Sequence, residues 1–550
     1  MATLRAGKSF FRLSKLVTQL LDVFGYLSVL LRGGALAASA LLLGGIVFVS
    51  WACPVTKEAL GSCRRLMGWA AAAVAVIETG YLLTGTAVLQ TTAELSLRQA
   101  AGANYFLAGT AAVCAAIAAG LVVRRRERPR WALWIPGVVI LGALVSTSHA
   151  AGRVDGRSVL LPLTMLHQGA AAVWIGGLPY LLVALAHSAG RLPSAALCRR
   201  FSRFAICAVA VLAATGLGLS MLYVGRPAAL YGTSYGAMVV SKAMLLGLVL
   251  IPGALNNSIV RQSPAVCARL LPRLRRYAEA EVGIGFTVIL AAASLTSQPP
   301  AVDLPSGRVT AQEIADRMSP RVPRLETPPL SSLSPATPLL FGNDAQSGIA
   351  SFVPGAVYHP NTPDDIAWSE YNHHWSGLIV LAAGVLAVMA RAGVRWARHW
   401  PLAFLGLAVF LFLRSDPENW PLGPRSFWQS FAVAEVLQHR VFVVLVVAFA
   451  GFEWAVRTGR IAAGRASLVF PIVCAAGGAL LLTHSHTLGN IKEELLAELS
   501  HIPLAILAVI AGWSRWLEVR LAQPHHRALA WVWPVCFVVL GAVLMTYRES

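Results

Sequence analysis

Residues 67–88 read MGWAAAAVAVIETGYLLTGTAV and hold a single charged side chain, Glu78. A helix of about 20 apolar residues is long enough to cross the hydrocarbon layer of a bilayer. The chain of 550 residues is 57% hydrophobic and 13% charged, whereas soluble domains are roughly 25% charged. This stretch therefore predicts a membrane-spanning helix, and the composition predicts many more.

Apolar windows between charged residues, prolines and glycines predict an all-α polytopic membrane protein with fourteen spans in two halves. Eight spans are predicted near 27–50, 66–88, 101–123, 131–150, 159–186, 202–224, 237–257 and 280–297, and six near 374–390, 399–413, 438–456, 467–486, 499–514 and 528–546. The predicted domains are accordingly 27–297 and 373–550.

Two segments lie outside these halves. Residues 298–372 hold twelve of the thirty prolines and no apolar periodicity, which is typical of an extended linker. Residues 1–26 interleave basic and apolar side chains, which predicts an amphipathic helix lying in the membrane interface.

Arginine and lysine set the orientation, because short cytoplasmic loops carry an excess of both. With the N-terminus outside, the inner loops hold 26 of these residues, and the outer short loops and C-terminal tail hold 8. Both termini and the linker are then extracytoplasmic, and we expect a bacterial inner membrane with a periplasmic linker. The net charge of +20 reflects basic loops rather than a nucleic-acid partner.

Several functions have no matching motif in the sequence. The eight cysteines form no CxxC pair, so their spacing supports neither a thiolate zinc site nor a redox dithiol. No glycine-rich phosphate loop and no nucleophile elbow are found in the loops. We therefore expect a protein that is not an enzyme and does not pump by hydrolysing ATP.

Eight of the thirteen histidines fall at the predicted outer face. Neutral imidazole binds copper, zinc, nickel and haem iron, so rings from several helices can converge on one metal ion. The alternative is that each ring is an interfacial anchor or a packing residue. The eight candidates are His149, His167, His373, His374, His439, His484, His486 and His501.

Two methionines near this face are candidate soft ligands, which select Cu(I). Met165 precedes His167 by two residues, and Met221 is near the outer end of its span. On one helix, however, Met165 and His167 differ by about 200° of rotation, so they cannot both face one ion without distortion.

Four further charged residues are candidates for an ion pathway or a structural role. Glu78 lies mid-span, where a carboxylate costs at least ~2.5 kcal/mol, and this predicts a cavity or a partner helix. Lys242 lies close enough to the outer interface for its side chain to reach water. Glu494, Glu498 and His501 share one helix face. That face would suit a divalent cation, although a solvated first turn is equally consistent with it.

Two motifs carry a resemblance to a known family. SHA at 148–150 and LHQGAAAVWIGGL at 166–178 resemble the CopD/PcoD copper-resistance membrane family, in which a histidine ends one helix and a Leu-His, Trp-x-Gly-Gly segment follows in the next. Residues 201–220, 233–257 and 275–300 fit the same pattern in order. The resemblance covers roughly 27–300, and the second half looks like the C-terminal extensions of some CopD-type proteins.

The resemblance implies copper handling at the cytoplasmic membrane, usually inward movement, beside a separate periplasmic partner of the CopC type. The residues on family positions are His149, His167, Trp174, Tyr235, Gly236, Lys242, Asn256 and Glu281. Of these, only the two histidines are obvious metal ligands. Trp174, with Gly176 and Gly177, is expected to set close helix packing.

Three functions follow from these observations. The first is a copper transporter or facilitator that passes the ion to His149 and His167. The second is a redox protein in which two histidines on different helices ligate haem b from opposite sides of the porphyrin. The third is a copper chaperone for oxidase assembly, which binds the metal without moving it.

Overall fold

The computed structural model describes residues 2–52, 56–125, 130–187, 191–304, 308–333, 362–431, 434–483, 491–522, 524 and 526–549. Within these ranges, the side chains of 2–23, 52, 130, 191, 434–435, 438, 491 and 493–494 are not described. The described residues form helices and no β-strand, which confirms the predicted all-α class.

Sixteen helices carry the argument. They are α1 (Ala2–Val47), α2 (Lys57–Thr92), α3 (Asn104–Arg124), α4 (Trp134–Ser146), α5 (Arg157–Ala171), α6 (Leu178–Ala186), α7 (Arg191–Val224), α8 (Ser234–Val260), α9 (Pro264–Ser297), α10 (Ala311–Met318), α11 (Pro363–Arg391), α12 (Ala403–Arg414), α13 (Ala434–Arg457), α14 (Val469–Leu481), α15 (Ile491–Arg520) and α16 (His526–Met545). Short α-helices are Leu97–Ala101, His149–Gly152, Ala229–Gly232, Phe427–Ser430 and Ala463–Ala466; 3₁₀ turns are Arg130–Leu133, Ala301–Asp303, Leu330–Ser332 and Trp396–Leu402; π-helical turns are Phe48–Ala52 and Ala172–Gly176.

The helices lie where spans were predicted. Thirteen helical segments of the described chain are long and apolar enough to cross a membrane. The fourteenth predicted span, 131–150, is a shorter apolar helix, Trp131–Ser146. It ends at Ser146, and a turn at Thr147 and Ser148 leads into the short helix His149–Gly152. His149 therefore starts a new element instead of closing the span.

The predicted N-terminal helix continues directly into the first span. The backbone runs as one helix over Ala2–Val47, and the first proline of the chain is Pro54, so no proline interrupts the helix. Because the side chains of residues 2–23 are not described, the interfacial placement stays a prediction.

The described parts of the predicted linker, 298–304, 308–333 and 362–372, contain helical elements. Thr310 and Glu313 form a capping box that starts α10, and Thr362 and Asp365 form another that starts α11 at Pro363. Such boxes satisfy backbone N–H groups at a helix N-terminus. Residues 334–361 lie outside the described residues. The span predicted at 374–390, which follows the linker, therefore belongs to a helix that begins eleven residues earlier, at Pro363.

The chain divides into two compact units. The N-terminal unit comprises Phe24–Arg308 with Leu482–Ser485, and the C-terminal unit comprises Met1–Val23, Val309–Leu481 and His486–Ser550.

Glycines hold the N-terminal unit together where α1 meets the π-helical turn Ala172–Gly176. A Cβ on Gly176 would lie 1.9 Å from the carbonyl oxygen of Ala40, and one on Gly44 would lie 2.3 Å from the carbonyl carbon of Gly176. The two backbones are therefore in direct contact, as small-residue interfaces in membranes allow. Trp174 in the same turn is buried, 1% exposed.

In the C-terminal unit, aromatic rings and buried ion pairs pack together. Trp400, Phe470 and Trp533 form a core in which the ring centroids of Trp400 and Trp533 are 5.5 Å apart. The carboxylate of Glu518 accepts hydrogen bonds from Arg515 at 2.7 Å and Trp533 at 2.8 Å and pairs with Arg391 at 2.8 Å. Buried charges of this kind are tolerated when they are paired and hydrogen-bonded.

Gly176→Ala should destabilise the N-terminal unit, because the added Cβ meets backbone that cannot rotate away. Overpacking of this kind costs about 1–3 kcal/mol, so we expect a lower midpoint of thermal unfolding in detergent. Gly169→Ala, where no atom lies within 4 Å of the added Cβ, is the matched control and should leave the midpoint unchanged or raise it. Equal midpoints for the two variants would contradict the packing argument.

Candidate functional site

His149 lies at the start of its short helix, in contact with aromatic side chains of the N-terminal unit. Its ring centroid is 6.3 Å from that of Tyr223 and 6.1 Å from that of Tyr235. Its Nε2 lies 3.2 Å from the carbonyl oxygen of Leu295. A carbonyl only accepts, so Nε2 carries the proton and Nδ1 carries the lone pair that could bind a metal.

His167 lies in α5 with its Nδ1 at 3.1 Å from the hydroxyl of Thr215 on α7. That hydroxyl already donates to the carbonyl of Val211 at 2.6 Å. Its oxygen must therefore accept from Nδ1–H of His167, which leaves the lone pair on Nε2. A partner that fixes the tautomer in this way is typical of metal-binding histidines. Lys242 is half-buried and within electrostatic range of His167.

The two methionines are not placed as ligands. Met165 is 42% exposed and Met221 is 65% exposed on the outside of their helices, whereas His167 faces Thr215 within the unit. The rotation between Met165 and His167 explains this arrangement, because a helix that turns the imidazole inward turns the thioether outward. The structure therefore does not bring these thioethers to the histidines, and their role as ligands stays a prediction.

Glu78 is buried in the middle of its span, with 4% of its surface exposed. The positive charge of Arg32 on α1 interacts electrostatically with its carboxylate. Arg32 donates to the hydroxyl of Thr147 at 2.7 Å. Arg32 and Thr147 line a cavity of about 480 Å³ within the N-terminal unit, which Ser148 also lines, next to His149 in the chain. Glu78 thus lies within electrostatic range of a charged residue on another helix, and a role in an ion pathway stays a prediction.

Trp174 has a polar partner that sequence reasoning did not identify. Its Nε1–H donates to Oε1 of Glu281 on α9 at 2.7 Å, and Nδ2–H of Asn256 on α8 donates to Oε2 at 2.9 Å. Glu281 is 4% exposed. The resemblance had placed all three residues on family positions, but it assigned no chemistry to Glu281 or Asn256. The close packing expected at Gly176 is present as well.

In the C-terminal unit, His373 of α11 and His501 of α15 lie near each other, with ring centroids 6.1 Å apart. Nδ1–H of His373 donates to the carbonyl of Ser369 at 2.8 Å, and Nδ1–H of His501 donates to the carbonyl of Ala497 at 2.6 Å. Both rings therefore carry their lone pair on Nε2. Each acceptor lies one helical turn before its histidine, so the helix itself fixes the tautomer.

Tyr547 and Glu549 complete the surroundings of this histidine pair. The Tyr547 ring stacks on His373 with centroids 3.9 Å apart. The Glu549 carboxylate accepts from Ser369 at 2.8 Å and from Tyr547 at 2.7 Å. Burial alone would raise the pKa of Glu549, but these hydrogen bonds and nearby His373 hold its pKa below the usual range. Sequence reasoning missed both residues, because no spacing links them to α11 or α15.

His374 does not belong to the candidate ligands. The backbone N–H of Arg324 donates to its Nδ1 at 2.7 Å, and its Nε2–H donates to the carbonyl of Tyr547 at 2.7 Å. Both ring nitrogens are used within the protein, and the residue is 2% exposed. His374 is therefore a structural link between chain segments, and the arrangement does not support its predicted role as a metal ligand.

The remaining predicted residues lie apart from this pair or are not described. His439 donates from Nδ1–H to Asp416 at 2.8 Å. Burial would raise the pKa of Asp416, but the hydrogen bond and charge of His439 keep it below its usual range. Glu498 is buried on α15, at 6% exposed. His484, His486 and the side chain of Glu494 lie outside the described residues.

The described histidines do not converge on one centre. No three His, Cys, Asp or Glu side chains in the described part of the chain are grouped so as to hold a metal ion. His149 and His167 lie in the N-terminal unit, whereas His373, His439 and His501 lie in the C-terminal unit. The arrangement therefore offers single imidazoles and one pair, each with a defined tautomer.

Comparison with known proteins supports the resemblance over part of the chain. Residues 195–295 match the family described as Copper resistance protein D. The chain is also similar to the copper transport protein CutJ of Bacillus subtilis (strain 168), with 27% identity over 214 residues, which is 38% of this chain and 38% of that protein. No solved structure matches the chain at a significant level. The predicted CopD resemblance is thus confirmed for a segment that includes Thr215, Lys242, Asn256 and Glu281.

Proposed function

We propose that this protein handles copper at the bacterial cytoplasmic membrane, and that the N-terminal unit moves the ion inward by way of His149 and His167. The match to the copper-resistance family and the similarity to CutJ support copper as the substrate. The observation that carries the proposal is the hydrogen bond from His167 to Thr215 inside a membrane-spanning segment. It gives a half-buried imidazole whose Nδ1–H is held by the protein, so that the Nε2 lone pair of the neutral ring is directed to a metal.

The chemistry of the two histidines fits transient binding better than storage. Neutral imidazole binds copper well, and each ring is oriented by a protein acceptor, as metal-binding histidines usually are. Because no three ligating side chains are grouped among the described residues, no closed cage traps the ion. A transport pathway needs binding that is strong enough to admit the ion and weak enough to release it.

The histidine pair of the C-terminal unit would act as a separate capture site. Two imidazoles that share one ion, each with its nitrogen about 2.0 Å from it, have ring centroids about 5 Å apart in tetrahedral geometry and about 6 Å apart when the two nitrogens and the ion are nearly in line. His373 and His501 are separated by 6.1 Å. Copper that collects there would be held at the predicted periplasmic side, where a separate CopC-type partner would deliver it.

The double variant His149→Ala, His167→Ala should lower copper accumulation in expressing cells at least about tenfold, since both proposed ligands are lost. Copper content measured by mass spectrometry, normalised to protein in the membrane, gives the result. His187→Ala is the control, because this ring lies at the predicted inner end of the unit. There, Nδ1–H of His187 donates a hydrogen bond to the carbonyl of Val183. Unchanged copper content in the double variant would refute the assignment of these ligands.

Thr215→Val removes the oxygen that holds Nδ1–H of His167 while keeping the side-chain volume. Loss of such a supporting partner typically weakens metal binding by 10–100-fold, so we expect that loss in copper affinity by competition titration. Thr215→Ser keeps the hydroxyl and should retain wild-type affinity. If Thr215→Val binds copper as tightly as wild type, the tautomer of His167 does not matter for binding.

The double variant His373→Ala, His501→Ala should bind one copper ion fewer per chain than wild type, as measured by metal analysis of purified protein. His374→Ala is the matched control on the same helix. It should keep the copper content but unfold at a lower temperature, because a buried N–H and a buried carbonyl lose their partner at a cost of about 1–3 kcal/mol. If His374→Ala loses copper and the double variant keeps it, the assignment is contradicted. A Soret band in wild-type protein would favour haem b instead.

A further inference from the structure

The carboxylate of Glu281 is held inside the N-terminal unit by two N–H donors. Trp174 Nε1–H reaches Oε1 at 2.7 Å, and Asn256 Nδ2–H reaches Oε2 at 2.9 Å. Glu281 is 4% exposed and Trp174 is 1% exposed. All three residues lie in membrane-spanning segments. Acidic groups at such depth are rare and usually serve ion or proton movement.

Glu281 has no positive partner among the residues that the structure describes. Its own helix and the helices around it carry titratable groups, but in the described structure none of these forms an ion pair or hydrogen bond with it. They are Cys267, Arg269, Arg273, Arg275, Arg276, Tyr277 and Glu279 on α9, Tyr235, Lys242 and Arg261 on α8, Cys198, Arg199, Arg200, Arg203, Cys207 and Tyr223 on α7, Tyr180 on α6, His167 on α5, and Tyr26 and Arg32 on α1. Arg199 instead donates to the Val260 and Gln262 carbonyls, and Arg276 pairs with Glu279. A buried carboxylate without a counter-charge is the kind of group that gains a proton at little structural cost.

Asn256 provides the second observation. Its Oδ1 is buried and has no hydrogen-bond partner in the described structure. An amide presents donors on one side and an acceptor on the other. When Glu281 is ionised, Nδ2–H of Asn256 donates to it, as observed. When Glu281 is protonated, a half-turn of the amide would bring Oδ1 to accept the new O–H, so Asn256 can satisfy both protonation states.

We propose that Glu281 binds and releases a proton during the transport cycle, so that protons are the coupling ion for copper movement. This inference rests on the proposed function. A hydronium ion transfers its proton to Oε2 of Glu281 and leaves as water, and Asn256 turns from donor to acceptor. Trp174 stays bonded to Oε1 in either state, because its indole N–H only donates.

The link to the copper ligand runs along one continuous segment. His167 lies in α5, and Trp174 lies in the π-helical turn that follows α5 directly. The wide turn at Ala172–Gly176 presses on α1 through Gly176 and Gly44. Such turns often mark functional sites in helices. The bond from Trp174 persists in both states but weakens when Glu281 is protonated, because a neutral carboxyl accepts a hydrogen bond less strongly than a carboxylate. This weakening is transmitted to the backbone that carries His167.

Infrared difference spectroscopy of the full-length protein, acid minus neutral and without copper, tests the proton site directly. Subtracting the Glu281→Gln difference spectrum from that of wild type should leave one protonated-carboxyl band, which belongs to Glu281, while the bands of the other carboxyls cancel. Glutamine mimics the neutral acid in shape and should fold, which circular dichroism and copper binding check. Glu279→Gln is the matched control, since Glu279 pairs with arginines on the same helix, and it should keep the band. A subtracted spectrum that lacks this band overturns the proposal.

Transport in proteoliposomes tests the coupling. Wild-type copper uptake should change at least about threefold when a pH gradient is imposed, and Glu281→Gln should take up copper at one rate with or without the gradient. Gradient-dependent uptake by Glu281→Gln would overturn the coupling role. If wild type moves no copper while the carboxyl band titrates, the proposed transport fails but the proton site stands, so the two failures are distinguishable.

Discussion

Inside a folded helical protein, a buried polar side chain must find its hydrogen-bond partner in the protein itself, and this constraint sets the tautomer of the candidate histidines. A backbone carbonyl cannot donate, so any imidazole bonded to one must place its proton there. The carbonyl of Leu295 thereby sets His149 with its lone pair on Nδ1, and the occupied hydroxyl of Thr215 sets His167 with its lone pair on Nε2. The metal-binding atom of each ring is determined by an acceptor that never touches the metal.

The same constraint separates two neighbours in the C-terminal unit. His373 and His374 are adjacent in α11 and so point about 100° apart. The His373 ring packs against Tyr547 and His501, and only its Nδ1–H is hydrogen-bonded, to a backbone carbonyl of its own helix. The His374 ring lies between Arg324 and Tyr547, and both of its nitrogens are hydrogen-bonded. An imidazole with two protein partners holds chain segments together, whereas one with a single partner keeps a ligand atom. Two identical residues therefore have different capabilities.

The spans could be predicted because the bilayer imposes length and apolar composition on each one. The linker could not be judged from its prolines alone, since Thr310 and Thr362 start helices through capping boxes that a count of residue types does not reveal. Convergence of the histidines was beyond the sequence, because ring direction depends on helix rotation and on which backbone atoms face it. Glu281 follows the basic stretch at Arg275 and Arg276 and so resembles a residue near the surface. The structure shows that Glu281 is buried, with 4% of its surface exposed. It is buried because it contacts Trp174, whose position depends on the glycine packing of the π-helical turn.

Charge balance in the N-terminal unit bears on which ion can reside at His167. Lys242 lies within electrostatic range of that ring, so its ammonium opposes any cation bound there. The repulsion is proportional to the charge of the ion and grows as the surroundings become less polar. A singly charged ion is therefore opposed half as strongly as a doubly charged one at the same place. Since the thioethers of Met165 and Met221 face outward, soft ligands do not provide selection at this site. If copper binds at the proposed site on His167, repulsion from the Lys242 ammonium would oppose Cu(I) less strongly than Cu(II).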